Sequence, residues 1–490
     1  MRLRLSDEVG RIDKDAPTKV ALVYPSPYAA GMSSLGFQRI YRLVQELEGF
    51  SGERAFLDDD AEQDLRKQER AMTYESFRGI DSFSIIATSV AYEGEIAGLV
   101  RILDASGIPA RREERNESHP FILAGGPLTF SNPLPLSPIV DAIIIGEAEE
   151  ITPIVLRILE SDHSKEKKLE ELMLVPHVFV PALMGSALPD VAKVDDALLP
   201  AWAPIRTKHA VLSDMFLVET ERGCSRGCTY CVMRRSTNGG MRIVDKEHLL
   251  SIIPEDAKRV GLVGAAVSDH PKIVEIVNHF ADRGVEVGLS SLRPDRMTDA
   301  FVSALKRTGY RTLTTAMDGP SERMRELLNR KARIRHLIKC AELAREHKMD
   351  RLKLYLMIGL PNETDADIDE CIAFSAELSK IVPLSLGIAP FCSKRNTPLD
   401  GMPFAGIDIV TDRLARLKKG LRGRVDVRST SAKWAWVEYV LAQGGPKEGE
   451  AAIVAAREGG KFADYKRAFA ALGDVGTEAR PKRRLAIASI

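Results

Sequence analysis

No stretch of the chain stays apolar for the roughly 20 residues that a membrane-spanning helix needs. The opening residues, MRLRLSDEVGRIDKD, are charged throughout and have no apolar secretion core. Excess charge is missing as well. Lys plus Arg equals Asp plus Glu at 69 each, so no net field draws the chain to nucleic acid or to an anionic membrane. Cysteine is sparse, six in 490 residues, which rules out a disulfide scaffold and fits a reducing compartment. These absences predict a cytoplasmic protein with no membrane partner, and they speak against nucleic acid. The apolar fraction of 44% and charged fraction of 28% are those of a globular protein. The length calls for two or three domains.

Three of the cysteines are bunched. Glu221 to Cys231 reads ERGCSRGCTYC, a Cys-x-x-x-Cys-x-x-Cys pattern at Cys224, Cys228 and Cys231 with Gly223 and Gly227 to let the loop turn tightly. The preceding Met215 to Thr220 is apolar and β-prone, so the loop hangs from a buried strand. A structural zinc site closes with a second ligand pair, and none follows. A four-iron cluster normally takes four cysteines; with three, one iron stays open for a substrate or cofactor. The spacing, with Tyr230 just before the third cysteine, resembles the signature of the radical S-adenosylmethionine (SAM) enzymes. The resemblance implies a [4Fe–4S] cluster on Cys224, Cys228 and Cys231, SAM on its open iron, and Tyr230 near the adenine.

Residues 1–160 alternate apolar runs with amphipathic ones. The runs are KVALVYP from Lys19, RAFLDDD from Arg54, SFSIIATSV from Ser82, FILAGGP from Phe121 and DAIIIGE from Asp141. Five strands interleaved with helices predict an α/β fold, a doubly wound parallel sheet whose ligands bind beyond the strands' carboxyl ends. The layout resembles the cobalamin-binding domain of one branch of radical SAM proteins. By that resemblance Gly125, Gly126, Gly146 and Glu147 are the candidate cobalamin contacts. The loop after the first strand, PSPYAAGMSSLG, lacks the histidine that many such domains offer to cobalt. A domain that keeps the fold without the cofactor is the competing reading.

Residues 161–212 read as a polar connector, possessing enough Pro and Ala for a short hairpin. A second βα series then fills residues 213–400, with strands from Met215, Arg259, Glu286, Arg311, Lys353 and Leu384. Six repeats predict a partial six-stranded (β/α) barrel, with chemistry at the carboxyl ends of its strands. The polar clusters fall there: Ser268-Asp269-His270, SSLRPD from Ser290, Asp318 to Arg323, and GLPNET from Gly359. Similarity to radical SAM cores assigns Asp269, Ser291, Arg293, Asp318, Arg323 and Gly359 to SAM. For each of these singly, a helix cap or turn is the plain alternative. Cys340 and Cys371 read as core thiols, while Cys392 follows the sixth strand, where it can face the cavity or simply pack. Residues 401–490 read as a small, mainly α region. Its basic run from Arg413 to Arg428 is either a solvated face or a contact for an acidic partner such as RNA.

The resemblance implies reductive cleavage of SAM to a 5′-deoxyadenosyl radical that takes hydrogen from an unactivated carbon, fed by a flavodoxin- or ferredoxin-type donor. With cobalamin bound, it implies a methyltransferase; without it, other radical chemistry. The turns after the third and fifth barrel strands are also similar to methylthiotransferases, but those carry a second cluster on N-terminal cysteines and the first cysteine here is Cys224. A scaffold or RNA-binding protein with a structural cluster is the reading outside enzymology.

Overall fold

The computed structural model describes residues 1–233, 240–290 and 292–473. Its first sheet comprises β1 (Thr18–Pro27), β2 (Phe50–Leu57), β3 (Ile85–Ser89), β4 (Phe121–Gly125), β5 (Ala142–Ile144) and β6 (Val178–Phe179). The order is β2-β1-β3-β4-β5-β6, with β1 to β5 parallel and β6 antiparallel to β5. Continuous apolar strands such as Val20–Val23 follow from burial on both faces. One face is covered by α1 (Leu35–Glu46), whose first turn is capped by Ser34 Oγ accepting from Phe37 N at 3.3 Å, and by α3 (Ile151–Glu160). The other is covered by α2 (Glu95–Ala105).

The second series gives β7 (Met215–Glu219), then a hairpin of β8 (Glu221–Gly223) and β9 (Met241–Ile243). There follow β10 (Arg259–Val263), β11 (Glu286–Leu289), β12 (Thr312–Asp318), β13 (Arg351–Ile358) and β14 (Leu384–Pro390). The helices between them are α4 (Ile273–Asp282), α5 (Asp299–Arg307), α6 (Ile334–Glu346) and α7 (Asp365–Ser379); α8 (Ile407–Gly420) follows β14. A seventh parallel strand, β15 (Asp426–Ser429), adds to the edge of β14. The strands fall into two sheets, β11-β10-β7 and β12-β13-β14-β15, so the barrel is an open one. Along β13 the alternation shows which way it faces. Leu352, Leu354, Leu356 and Ile358 are buried against the helices, while Lys353, Tyr355 and Met357 turn to the partly open inner side.

The connector carries more order than its composition announces. It includes a helix at Lys165–Met173 and β6 itself; Ile205 then enters the first core while Val194 and Leu199 enter the barrel core. The last three helices are α9 (Ala432–Gln443), α10 (Pro446–Glu458) and α11 (Phe462–Ala470). They fold back onto the first domain: Val440, Ile453 and Phe469 share one core with Ile96, Val100 and Leu103 of α2. No described helix is long and apolar enough to cross a membrane.

Candidate active site

The cysteine loop rises from the β8–β9 hairpin. Two glutamates of the first domain anchor that hairpin: Arg222 lies 2.8 Å from Glu149 and 3.5 Å from Glu147, and Arg242 pairs with Glu147. From the barrel side, the segment after helix Glu322–Leu327 braces the loop. Thr229 N and Oγ1 donate to Leu328 O and Leu327 O at 3.1 and 3.0 Å, and Asn329 Nδ2 donates to Gly227 O at 3.0 Å. Among the described residues no three metal-ligating side chains gather as ligands of one bare ion would. The three thiols nevertheless feel one another. Burial pushes the Cys224 and Cys231 thiols up, and the charge of Cys228 adds to both shifts. Arg330 offers its guanidinium 4.0 Å from Cys228 Sγ, a counter-charge for a thiolate.

Arg330 also closes a relay that motif reading missed. Its Nε lies 2.5 Å from Asp318 Oδ2, and Asp318 Oδ1 accepts from the Tyr230 hydroxyl at 2.9 Å. Burial raises the Asp318 carboxyl, with Arg330 opposing, and burial likewise holds the Tyr230 hydroxyl protonated. Asp318 sits at φ 62°, in the left-handed region at the end of β12, which turns its carboxylate toward the loop. Arg330 lies in LNRKAR, a stretch with no motif; Asn329 before it, also at positive φ, was the one readable turn signal.

The other sequence candidates take different places. Asp269 is ringed by Arg296, Arg226 and Arg293 at 3.0, 3.3 and 3.4 Å, so its charge is already compensated. Arg293 spends most of its guanidinium on Asp295, at 2.8 and 2.9 Å. Both Asp269 and Arg293 lie close enough to influence Cys224. Ser291 lies outside the described residues. Arg323 is half-exposed and pairs with Asp367 and with Asn362 O at 3.0 Å. Gly359, at φ 77°, donates to Glu363 Oε1 at 2.8 Å, and Arg413 of α8 meets the same oxygen at 2.9 Å. Arg416 likewise pairs with Asp369 at 2.7 Å, so the start of the basic run is spent on α7 and its cap. Cys340 and Cys371 are buried in the barrel core.

Glu221 is the unexpected acid. Its buried carboxyl accepts from Ala266 N at 2.5 Å and Thr220 Oγ1 at 2.8 Å, and burial pushes its pKa up to about 8. It occupies the room beside Gly264, where an added Cβ would fall 1.7 Å from Glu221 Oε2.

The four cobalamin candidates are mostly engaged by the chain itself. A Cβ at Gly126 would meet Val90 O at 2.7 Å, and one at Gly146 would meet Ala192 N at 2.7 Å. Glu147 accepts from Val194 N at 2.8 Å besides holding Arg242. Gly125 alone of the four faces open space. Beyond β4, buried Asn132 donates to Leu441 O, Ala442 O and Gly444 O at 3.1, 3.0 and 2.8 Å, which fastens the end of α9 over that edge. At the barrel edge there is room. A cavity of about 410 Å³ opens beside Tyr230, walled by Met357, Phe391, Cys392, Trp434 and Glu438.

Two family models match the chain: "Radical SAM proteins, N-terminal" over residues 36–181 and "Radical SAM superfamily" over residues 218–375. The chain belongs to the radical SAM superfamily. An uncharacterised Methanocaldococcus jannaschii protein, MJ0966, is 26% identical over 390 residues, 78% of this chain and 79% of that one. The ribosomal protein uS12 methylthiotransferase RimO of Kineococcus radiotolerans is 24% identical over 74% of this radical SAM chain and 75% of its own. Among solved structures, the cobalamin-dependent SAM radical enzyme OxsB, with aqua-cobalamin and SAM bound, superposes with a TM-score of 0.49 at 14% identity. The match covers 84% of this chain and 56% of that one, so the chain spans little more than half of that enzyme.

Proposed function

We propose that this chain is an enzyme that cleaves SAM reductively at a [4Fe–4S] cluster and uses the radical so formed on a substrate in the cavity beside Tyr230. The observation that carries the reading is the adjacency of the three-thiol loop and that cavity, with Tyr230 belonging to both. The donor set fits the cluster: three thiols on one braced loop, with Arg330 as counter-charge. When bound, the cluster supplies one electron to SAM, whose cleavage yields a carbon radical able to take hydrogen from an unactivated position. The protein's part is orientation and dryness. Asp318 fixes the Tyr230 hydroxyl, Arg330 fixes Asp318, and Met324, Leu328, Leu360, Phe391 and Leu399 form the apolar cluster on which Tyr230 packs. Glu363 and Arg413 fix the Gly359 turn, whose Cβ side is backed by Val410 and Ala405, and its backbone would serve as a surface for a flat base. An external flavodoxin- or ferredoxin-type protein delivers the electron.

Of the residues named for cobalamin, Glu147 is engaged by Arg242 and the Cβ sides of Gly126 and Gly146 are closed by Val90 and Ala192, which leaves Gly125 facing open space. The radical step proposed needs no cobalamin in the first domain, and methyl transfer through that cofactor would be an additional step. The pairing of Arg413 and Arg416 with Glu363 and Asp369 also weakens the RNA-binding alternative. The test is anaerobic reconstitution with iron and sulfide, then reduction with dithionite in the presence of SAM. The expected products are methionine and 5′-deoxyadenosine. Protein that carries its full iron and leaves SAM intact would overturn the reading.

A further inference from the structure

The cavity beside Tyr230 has both apolar walls and polar ones, the latter including Thr430 and Ser431. Met357, Phe391 and Trp434 belong to the apolar walls, and Lys394 and Glu438 supply the charged groups. Lys394 Nζ lies 2.7 Å from Glu438 Oε1 and 2.7 Å from Glu93 Oε2. Glu93 comes from the loop after β3, at the β1/β3 switch point of the first sheet, and stands behind the cavity wall, where it holds Lys394. One cation is shared between two carboxyl groups, so neither has Lys394 to itself. Each carboxylate also has an oxygen to spare. Glu93 Oε1 is buried, on a side chain 2% exposed, and has no hydrogen-bond partner; Glu438 Oε2 has none among the described residues and belongs to a side chain 38% exposed. Burial pushes the Glu93 carboxyl up, against the pull of Lys394. Cys392 supplies no charge, because its thiol donates to Ala435 O at 3.0 Å and burial raises it well above the usual thiol range.

A carboxylate oxygen left without a partner beside apolar walls is best met by a cation that also donates a hydrogen bond. An anion finds nothing comparable, since Lys394 is the cationic lining residue and its charge is already shared by two carboxyl groups. Trp434, half-exposed and set edge-on against Tyr465, can cover an alkyl chain or face a cation. We propose that the cavity binds a substrate carrying an ammonium or guanidinium group on a short apolar chain, with Glu438 receiving the cation and Glu93 holding Lys394 aside. The position of Tyr230 then sets the chain, at its far end from the charge, toward the cysteine loop. This last step rests on the radical SAM reading; the cation site does not.

The experiment uses reconstituted full-length protein and four probes at constant ionic strength: agmatine, n-butylammonium, n-butanol and butyrate. Binding is followed by equilibrium dialysis and by the emission of Trp434. Agmatine and butylammonium should bind saturably and perturb the emission, with butanol and butyrate at background. Glu438→Gln should weaken agmatine by about tenfold or more, as loss of a charged hydrogen bond does, and Glu438→Asp should recover most of it. Circular dichroism of each variant separates lost binding from lost folding, and Trp434→Phe should keep dialysis binding while losing the signal. Equal binding of butyrate, no binding of either cation, or an unchanged Glu438→Gln would overturn the proposal. SAM cleavage is measured in parallel. Cation binding without cleavage keeps the site and removes the enzymatic reading; cleavage without cation selectivity does the reverse.

Discussion

The first sheet and the open barrel of this protein obey one rule and reach different outcomes. In each, strand carboxyl ends and their loops gather on one edge, where a ligand is expected. At the barrel edge the loops leave a cavity of about 410 Å³. At β4 and β5 of the first sheet the same kind of edge is taken up by the chain: α9 is tied by Asn132, Val191 and Ala192 lie against Gly146, and Arg242 holds Glu147, while beyond β2 a cavity of about 600 Å³ stays open among Leu57, Asp58 and Asp59. Topology says where a ligand can sit. Whether the place is free depends on segments far away in sequence.

The comparison breaks most sharply on cofactor loading. Replacing Cys224, Cys228 and Cys231 by Ala should abolish iron retention after reconstitution, with Cys340→Ala and Cys371→Ala loading normally. Hydroxocobalamin should pass through dialysis unretained in every one of these proteins. Stoichiometric cobalt in the wild-type protein would reverse the contrast between the two edges.

Next in size is the link between them. Glu147→Ala removes the carboxylate that Arg242 and Arg222 share, while Asp196 and Glu149 remain to them, and losing such charged hydrogen bonds costs about 1.5–3 kcal/mol. Denaturant midpoints should fall accordingly, and iron should leave to a chelator faster than from wild type. If stability drops and iron release does not quicken, the first domain has no hold on the cysteine loop.

Glu221 tests the barrel edge alone. Its folded pKa of about 8 stands above the 4.5 of an ordinary glutamate. The folded state therefore keeps a proton that the unfolded chain releases, so stability present below pH 4.5 is lost as pH climbs toward 8. The slope is about 1.4 kcal/mol per pH unit across that window. Glu221→Gln should flatten it, and a wild-type protein whose stability is flat there would refute the assignment. The smallest effect belongs to the closed edge. Asn132→Ala strands buried carbonyls of α9 at a cost of about 1–3 kcal/mol. Faster amide exchange in α9, with barrel amides unchanged, is the expected signature.

Much of this was legible because the signals are local. Period-two and period-3.6 patterns placed the strands and most helices, and the cysteine spacing singled out the loop without help from the fold. Long-range partners were not legible. Nothing near Glu147 says that it faces Arg242, ninety-five residues on, and nothing near Lys394 points to Glu93. A clue did exist in α9, AKWAWVEYVLAQ, which is apolar on more than one side. A helix of that kind is covered twice, here by the barrel strand β14 on one side and by α10 and α11 on the other. Reading it so would have placed the last helices against the body of the protein.

The acidic pair Glu147 and Glu149 has a further consequence, for manufacture. The hairpin bearing the cysteines is two strands of three residues each, too short to hold its own shape in water. Its clamp lies in the part of the chain that leaves the ribosome first. The clamp's glutamates are thus made before the thiols, while the core of the sheet that carries them is completed only by α9 to α11. A barrel expressed without residues 1–160 would present the same three cysteines to the iron-delivery machinery as a slack, oxidisable segment.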